Sequence, residues 1–241
     1  MALIYSIASK HGKNWLDALY AYASTADRRA KINLEMAMKN PTSAAYRAAS
    51  FIKVYDRQYE AATADAERAI SLDPNDSASQ DNMAFVLIMA GKPEEGLDFA
   101  KKAMRLDPLN LANPLYNIGL AHFCLKEFEQ AANSLERALI YSPGHVAYMI
   151  ALAAAYGHLS REKEAEATLE LLIKTITRAD EGFKREDYIH PHDVWEDIIV
   201  NWRGHRYPPF REHEMTDLLE GGLTKAGLKE IANFRAALTD Y

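Results

Sequence analysis

LYNIGLAHFCLKEFEQAANSLERALIYSPGH, residues 115–145, reads as two helices with a break near Lys126. Its small residues decide the fold. Gly119, Ala131 and Ala138 stand among Leu, Ile and Phe, and Pro143 closes the stretch. The same places recur along the chain. Pro74, Pro108 and Pro143 are 34 and 35 residues apart, each ending a similar word: RAISLDP (68–74), KAMRLDP (102–108) and RALIYSP (137–143). Ala62, Gly96, Ala131 and Ala165 form a second column, spaced 34, 35 and 34. Ser50, Ala84, Gly119 and Ala153 form a third. Ala69, Ala103 and Ala138 form a fourth, in which Leu172 replaces the small residue of the last copy.

A fixed period of this length marks a repeat architecture. Each repeat is predicted to be a pair of antiparallel helices. Small residues at the crossing let two backbones come close, while Met83, Ile118 and Leu152 fill the sides. The proline stops the second helix and turns the chain into the next pair. Gly91 is predicted to end a first helix in a left-handed cap, and Pro93 to open the next helix. The pattern resembles the tetratricopeptide repeat. The resemblance covers residues 43–179 as four copies, 43–76, 77–110, 112–145 and 146–179, and implies an all-α, right-handed α–α superhelix. The large aromatic usual early in such a repeat is not kept: Tyr46, Gln80, Leu115 and Met149 stand there. Residues 1–42 read as a degenerate N-terminal unit. Trp15, Leu19 and Tyr22 form one helix face there, and Ile32, Leu34, Met36 and Met38 supply apolar residues to a second helix. A terminal unit departs from the pattern because it has one neighbour to bury against.

Composition narrows the function. The chain has 241 residues, 49% hydrophobic and 26% charged, as in an ordinary soluble globular protein. Its formal charge is −6 and it has no long basic stripe, which argues against nucleic acid as partner. A single cysteine, Cys124, excludes a disulfide framework and fits a reducing compartment. It reads as a small buried hydrophobe. The start, MALIYSIASK (1–10), has an apolar run with no basic residue ahead of it, unlike a secretory signal. The longest apolar run, residues 146–156, is too short to cross a bilayer. The expectation is a soluble, cytoplasmic protein with no membrane partner.

The period ends near residue 180, and residues 180–241 read as a linker followed by capping helices. DEGFKREDYIHPHD (180–193) is polar. Residues 191–202 are predicted helical, with Val194, Trp195, Ile198, Ile199 and Trp202 on one face, stopped by Gly204. RYPPF (206–210) is predicted extended because two prolines forbid helix. Residues 215–220 and 226–238 are predicted to be short helices. The order of repeats followed by PPFREHEMTDLLEGGLTKAGLKE (208–230) is similar to the C-terminal repeat region of bacterial class III adenylate and guanylate cyclases and related regulators. The matching residues are Pro209, Phe210, Leu223, Lys225, Ala226, Gly227 and Leu228. That resemblance implies a regulatory or scaffolding segment of a bacterial protein. It does not imply cyclisation by this chain, which contains no catalytic domain.

Solenoid curvature sets the first helix of each pair on the concave side. The register places Arg47, Phe51 and Tyr55 there in the first full copy. Asp81, Phe85 and Met89 follow, then Tyr116, Leu120 and Phe123, then Ile150 and Ala154. The groove is aromatic and apolar with sparse charge, which suits an extended or helical peptide. Asn82 and Asn117 share a column, and a carboxamide can pair with a peptide backbone without reading its side chains, or with a neighbouring helix. In the resembling family, chaperone-binding members grip a carboxylate with Lys, Asn and Arg. Phe51, Phe85 and Leu120 stand where such a clamp wants polar residues, so that ligand is rejected. His190, His192, Asp193, His205 and His213 fit no metal-ligand spacing, and read as linker. Phosphate-cradling glycine loops and nucleophile elbows are lacking. The expectation is a non-catalytic, metal-free and cofactor-free module that binds a peptide or protein partner. Homo-oligomeric assembly is the competing reading, and a metal-dependent enzyme built on the histidine tail a third.

Overall fold

The computed structural model describes residues 30–179 and 210–227, and every regular element among them is helical. After a helical stretch at 30–37, four helix pairs follow. The first is α1 (Ser43–Tyr55) with α2 (Tyr59–Leu72), and the second α3 (Ser77–Met89) with α4 (Pro93–Leu106). The third is α5 (Ala112–Cys124) with α6 (Phe128–Tyr141), and the fourth α7 (Val146–His158) with α8 (Glu162–Ala179). A last helix, α9 (His213–Lys225), follows. Each first helix packs on its own second helix and on the first helices beside it, and α3, α5 and α7 also pack on the preceding second helix. Helix α9 breaks this order and packs on α7.

The small-residue columns lie at the helix crossings and are buried in every pair. Their necessity is measurable. A Cβ on Gly96 would lie 2.6 Å from Ile88 Cγ1 and 2.9 Å from the Ala84 carbonyl oxygen. A Cβ on Gly119 would lie 2.7 Å from Leu135 Cγ. The turn inside each pair is equally regular. Arg57, Gly91, Lys126 and Ser160 all take a left-handed backbone, with φ of 59°, 84°, 61° and 56°. In each turn the next residue donates its N–H back to the helix, as from Lys92 to Leu87 and from Glu127 to His122, which closes a Schellman cap. Gly91 meets the sequence expectation. The other three repeats hold the same shape with side chains present, at a cost of about 1 kcal/mol each. Thr42 and Asp76 cap α1 and α3 with their side chains, and Pro93 opens α4. Buried Asp65 is held by Lys53 across the first pair.

The tail departs from its prediction. The short helix expected at 215–220 is longer: α9 runs from His213 through Gly221 and Gly222 to Lys225, and Gly227 turns left-handed after it. Two interior glycines weaken a helix by roughly 1 kcal/mol each. The reason for Gly222 is contact: a Cβ there would lie 2.5 Å from the Ala154 carbonyl oxygen on α7. Gly221 faces open space. In the N-terminal unit, Ile32 and Met36 are exposed, and Lys31 pairs with Asp56 at 3.0 Å. Trp15, Leu19, Tyr22, Trp195 and Trp202, and the predicted helix at 191–202, lie outside the described residues, as do His190, His192, Asp193 and His205.

Two substitutions of opposite sign test this account. Gly96→Val should cost about 2–3 kcal/mol through overpacking, read as a lower urea midpoint. Ser160→Gly should gain about 1 kcal/mol by relieving the left-handed turn.

Candidate peptide-binding groove and its resident tail

The inward faces of α1, α3, α5 and α7 form one surface with two unlike halves. Toward the middle and N-terminal ends of these helices lie aromatic rings and buried polar groups. Phe51 is 45% exposed and stacks on Phe85, 5.4 Å between centroids, with Tyr55 tilted against it at 4.9 Å. Burial pushes the Tyr55 phenol up to about 12. Arg47 Nε reaches to 3.7 Å from Asp76 Oδ2 at the start of α3. One repeat along, Tyr116 stacks on Tyr148 at 4.6 Å, and His145 covers Tyr148 at 3.8 Å.

Polar side chains cross each junction between repeats. Ser50 Oγ donates to Asn82 Oδ1 at 2.7 Å. Asn117 Nδ2 donates to the Asp81 carbonyl at 3.2 Å and to Asp81 Oδ1 at 2.8 Å. Tyr148 Oη donates to Asn113 Oδ1 at 2.5 Å. The two asparagines of the shared column are thus engaged between helices, and Asn117 is only 3% exposed. Asp81 is half-buried, and burial pushes its carboxyl up to about 6 against the opposing hydrogen bond from Asn117. Phe123 is fully buried beside Phe128 and His158, and Met89, Leu120, Ile150 and Ala154 are buried too. His145, Tyr148 and Asn113 were not singled out in the sequence. Asn113 and Tyr148 stand in neighbouring columns of adjacent copies, so no recurring residue marked them.

The other half, at the C-terminal ends of the first helices, is occupied by residues 210–226. Phe210 is 1% exposed, worth about 2–3 kcal/mol of burial. Arg57 Nη1 donates to the Phe210 carbonyl at 3.1 Å, and the Arg211 N–H donates to the Met89 carbonyl at 2.8 Å. That carbonyl is one of those an α-helix leaves unpaired at its end. Arg211 also pairs with Glu60 and lies 5.5 Å above the Tyr59 ring. Glu212 passes Gly91, and Glu214 pairs with Lys126 at 3.0 Å. The tail thus follows the column of left-handed turns through three repeats. Helix α9 then crosses α7 where a Cβ on Gly157 would lie 2.0 Å from the Gly222 carbonyl oxygen. His158 Nε2 donates to the Leu218 carbonyl at 2.8 Å, and Lys225 Nζ lies 3.4 Å from His158 Nδ1. Desolvation and Lys225 both hold the His158 pKa down, which favours this neutral, Nε2-protonated form.

Cys124 is buried, and burial alone pushes its thiol up to about 12, so it stays protonated. Among the described residues, no three His, Cys, Asp or Glu side chains gather as a metal ion requires. Likewise, no described helix is long and apolar enough to cross a membrane.

Residues 112–145 match the tetratricopeptide repeat family. No curated protein matches the sequence. Among solved structures the chain is similar to PilW, described as a widely conserved type IV pilus biogenesis factor. Identity is 17%, coverage 92% of this chain and 93% of that one, and the TM-score 0.58. It is also similar to pilF of Pseudomonas aeruginosa, at 16% identity, 92% and 93% coverage and a TM-score of 0.56. YrrB, described as a TPR protein with an unusual peptide-binding site, aligns at 16% identity over 79% of this chain and 90% of its own, with a TM-score of 0.46. At such identities the likeness establishes the fold, an all-α tetratricopeptide solenoid.

The raised Asp81 pKa has a sign that can be checked. The folded chain holds this proton more tightly than the unfolded one, so stability falls as pH rises from the ordinary 3.8 through about 6. Asp81→Asn should therefore stabilise the chain at about pH 7.5 by on the order of 2 kcal/mol, and leave it unchanged near or below pH 4. Thermal melts at the two pH values measure the difference.

Proposed function

We propose that this chain is a non-catalytic protein–protein interaction module that takes a peptide or protein segment on its concave face. Its role in this reading is regulatory or scaffolding, which a tetratricopeptide solenoid supports. One observation carries the reading: that face already holds a polypeptide, residues 210–226, first extended and then helical. The tail is held by an unpaired helix-end carbonyl, by side chains from the turns and by a close glycine crossing, all of which a segment in trans can use. The partner is therefore expected to compete with the tail. The groove residues engaged are Arg47, Phe51, Tyr55, Asp81, Phe85 and Tyr116, with Asn82 and Asn117 fixing the junctions and Phe123 packed behind them.

A selection from a random peptide library against the full chain tests this. Selected peptides should lose roughly tenfold in affinity with Phe51→Ala and nothing with Leu109→Ala, which lies 85% exposed on a turn between repeats. Dependence on Leu109 alone places binding elsewhere, and failure to enrich any peptide counts against the module.

The glycine pair tests the tail. Gly222→Ala drives a methyl into Ala154 and should release the tail, raising peptide affinity by about tenfold. Gly221→Ala strengthens the same helix without touching α7 and should leave affinity unchanged. Equal behaviour of the two variants shows that the tail is a fixed cap.

A second reading, homo-oligomeric assembly, rests on a different surface. Leu72, Leu106 and Tyr141 recur at the ends of the second helices and are exposed, with Leu109 and Ile140 beside them. Light scattering over a concentration series, with Leu109→Asp as comparison, separates the two.

A further inference from the structure

The half of the groove that the tail leaves open contains an electrostatic imbalance. Asp81 sits low on the concave face of α3, and among the described residues its carboxyl meets no lysine, arginine or histidine. Its hydrogen-bond donor is the neutral amide of Asn117. The orientation of that amide is fixed, because its nitrogen faces two Asp81 oxygens and reversal would set oxygen against oxygen. Asn117 Oδ1 therefore points away, buried and without a donor. The Asp81 carboxylate thus has a neutral donor and no counter-charge. Burying such a group unpaired is costly, and the missing partner is defined by charge and by hydrogen-bonding sense. It must be a cation that donates.

The surroundings define its stem. Phe85 lies one turn beyond Asp81 on the same face of α3, and half-exposed Phe51 stacks on it. On the other side stands the stacked pair Tyr116 and Tyr148. Aromatic walls around a carboxylate accommodate the methylenes of a long basic side chain while its head reaches the charge. An acidic group is repelled. A neutral amide leaves Asp81 without a counter-charge.

We propose that Asp81, held in place by Asn117, and the Phe51–Phe85 ledge form the anchor for an arginine or lysine side chain of the partner segment. This rests on the groove being a peptide site and names what that site selects. The polar contacts of the tail fall elsewhere, on Arg57, Glu60, Met89, Lys126 and His158. The raised proton affinity of Asp81 has the same origin, and a bound cation returns the group to the carboxylate form.

The experiment compares peptide pools enriched from one random library by the full wild-type chain and by Asp81→Asn. That substitution keeps the shape and the acceptor for Asn117, and the melt described above verifies its fold. The wild-type pool should show arginine or lysine at one aligned position, and the Asp81→Asn pool should not. A synthetic peptide from the wild-type pool, with that arginine replaced by citrulline, should lose about tenfold in affinity for wild type and nothing for Asp81→Asn. The carboxyl carbon of Asp81, followed by NMR, should titrate at lower pH with the arginine peptide bound than without it. Enriched peptides lacking a basic position, or an equal citrulline penalty on both chains, overturn the anchor and leave the peptide-binding reading standing. A library that enriches nothing on either chain overturns both.

Discussion

The molecule depends on how closely two helix backbones can pass. Ala84 against Gly96, and Gly119 against Ala131, bring paired helices within a distance that no larger side chain allows. A solenoid has no central core, so each pair must be stable through its own crossing and its two neighbours. The tail uses the same device a second time. Its helix reaches α7 through Gly222 and Gly157, and the approach there is tighter than at any crossing described within a repeat. A column that reads Val54, Ile88 and Phe123 in three repeats becomes Gly157 in the fourth. The column Phe51, Phe85 and Leu120 likewise shrinks to Ala154. The last repeat has lost bulk on its concave face where α9 lies.

Close packing fixes distance but not register, since apolar contacts are non-directional. Register comes from the polar links at the junctions: Ser50 to Asn82, Asp81 to Asn117, and Asn113 to Tyr148. A slip of one repeat against the next leaves a buried donor or acceptor without a partner, at a cost larger than the bond's net worth. A hydroxyl donates forward along the chain at the first junction, from Ser50, an amide backward at the second, from Asn117, and a hydroxyl backward at the third, from Tyr148, so the three junctions are not interchangeable. The asparagine column is thus first of all a joint, and its freedom to serve a ligand is what the joint leaves over.

Much of the architecture was legible because it rests on periodic space. The helix starts at Ser43, Ser77, Ala112 and Val146 follow from columns of small residues and prolines, each reporting a crossing or a stop. The tail was legible only in part. The helix expected at 215–220 stopped short of Gly221 and Gly222, and glycine weakens helices in general. Nothing local reveals that one of the two is needed for contact with a helix 65 residues earlier, at Gly157. The missing bulk at Ala154 and Gly157 held that information, but only when compared with the same columns in the other repeats. The left-handed turns at Arg57, Lys126 and Ser160 were hidden for a related reason: their shape is imposed by the repeat and tolerated by the residue. Register assigns a residue to a helix face, yet it cannot separate half-exposed Phe51 from fully buried Phe123. Curvature, neighbouring rings and the tail decide that.

The concave face is divided along the axis of its helices, and the division has a physical basis. At their C-terminal ends the first helices offer unpaired carbonyls and basic turn residues, Arg57 and Lys126, which suit a backbone N–H and the acidic Glu214. Toward their other ends the same helices offer Asp81 and aromatic rings, which suit a basic side chain. A segment that spans both halves meets opposite demands at its two ends, so its direction in the groove is fixed by charge. The tail satisfies the first set and leaves the second open. Being tethered, it needs little intrinsic affinity to occupy its half, because a linker raises its effective concentration. A free partner lacks that advantage and must recover it from contacts the tail does not make. The open half, with its unbalanced carboxylate, is where such contacts are available.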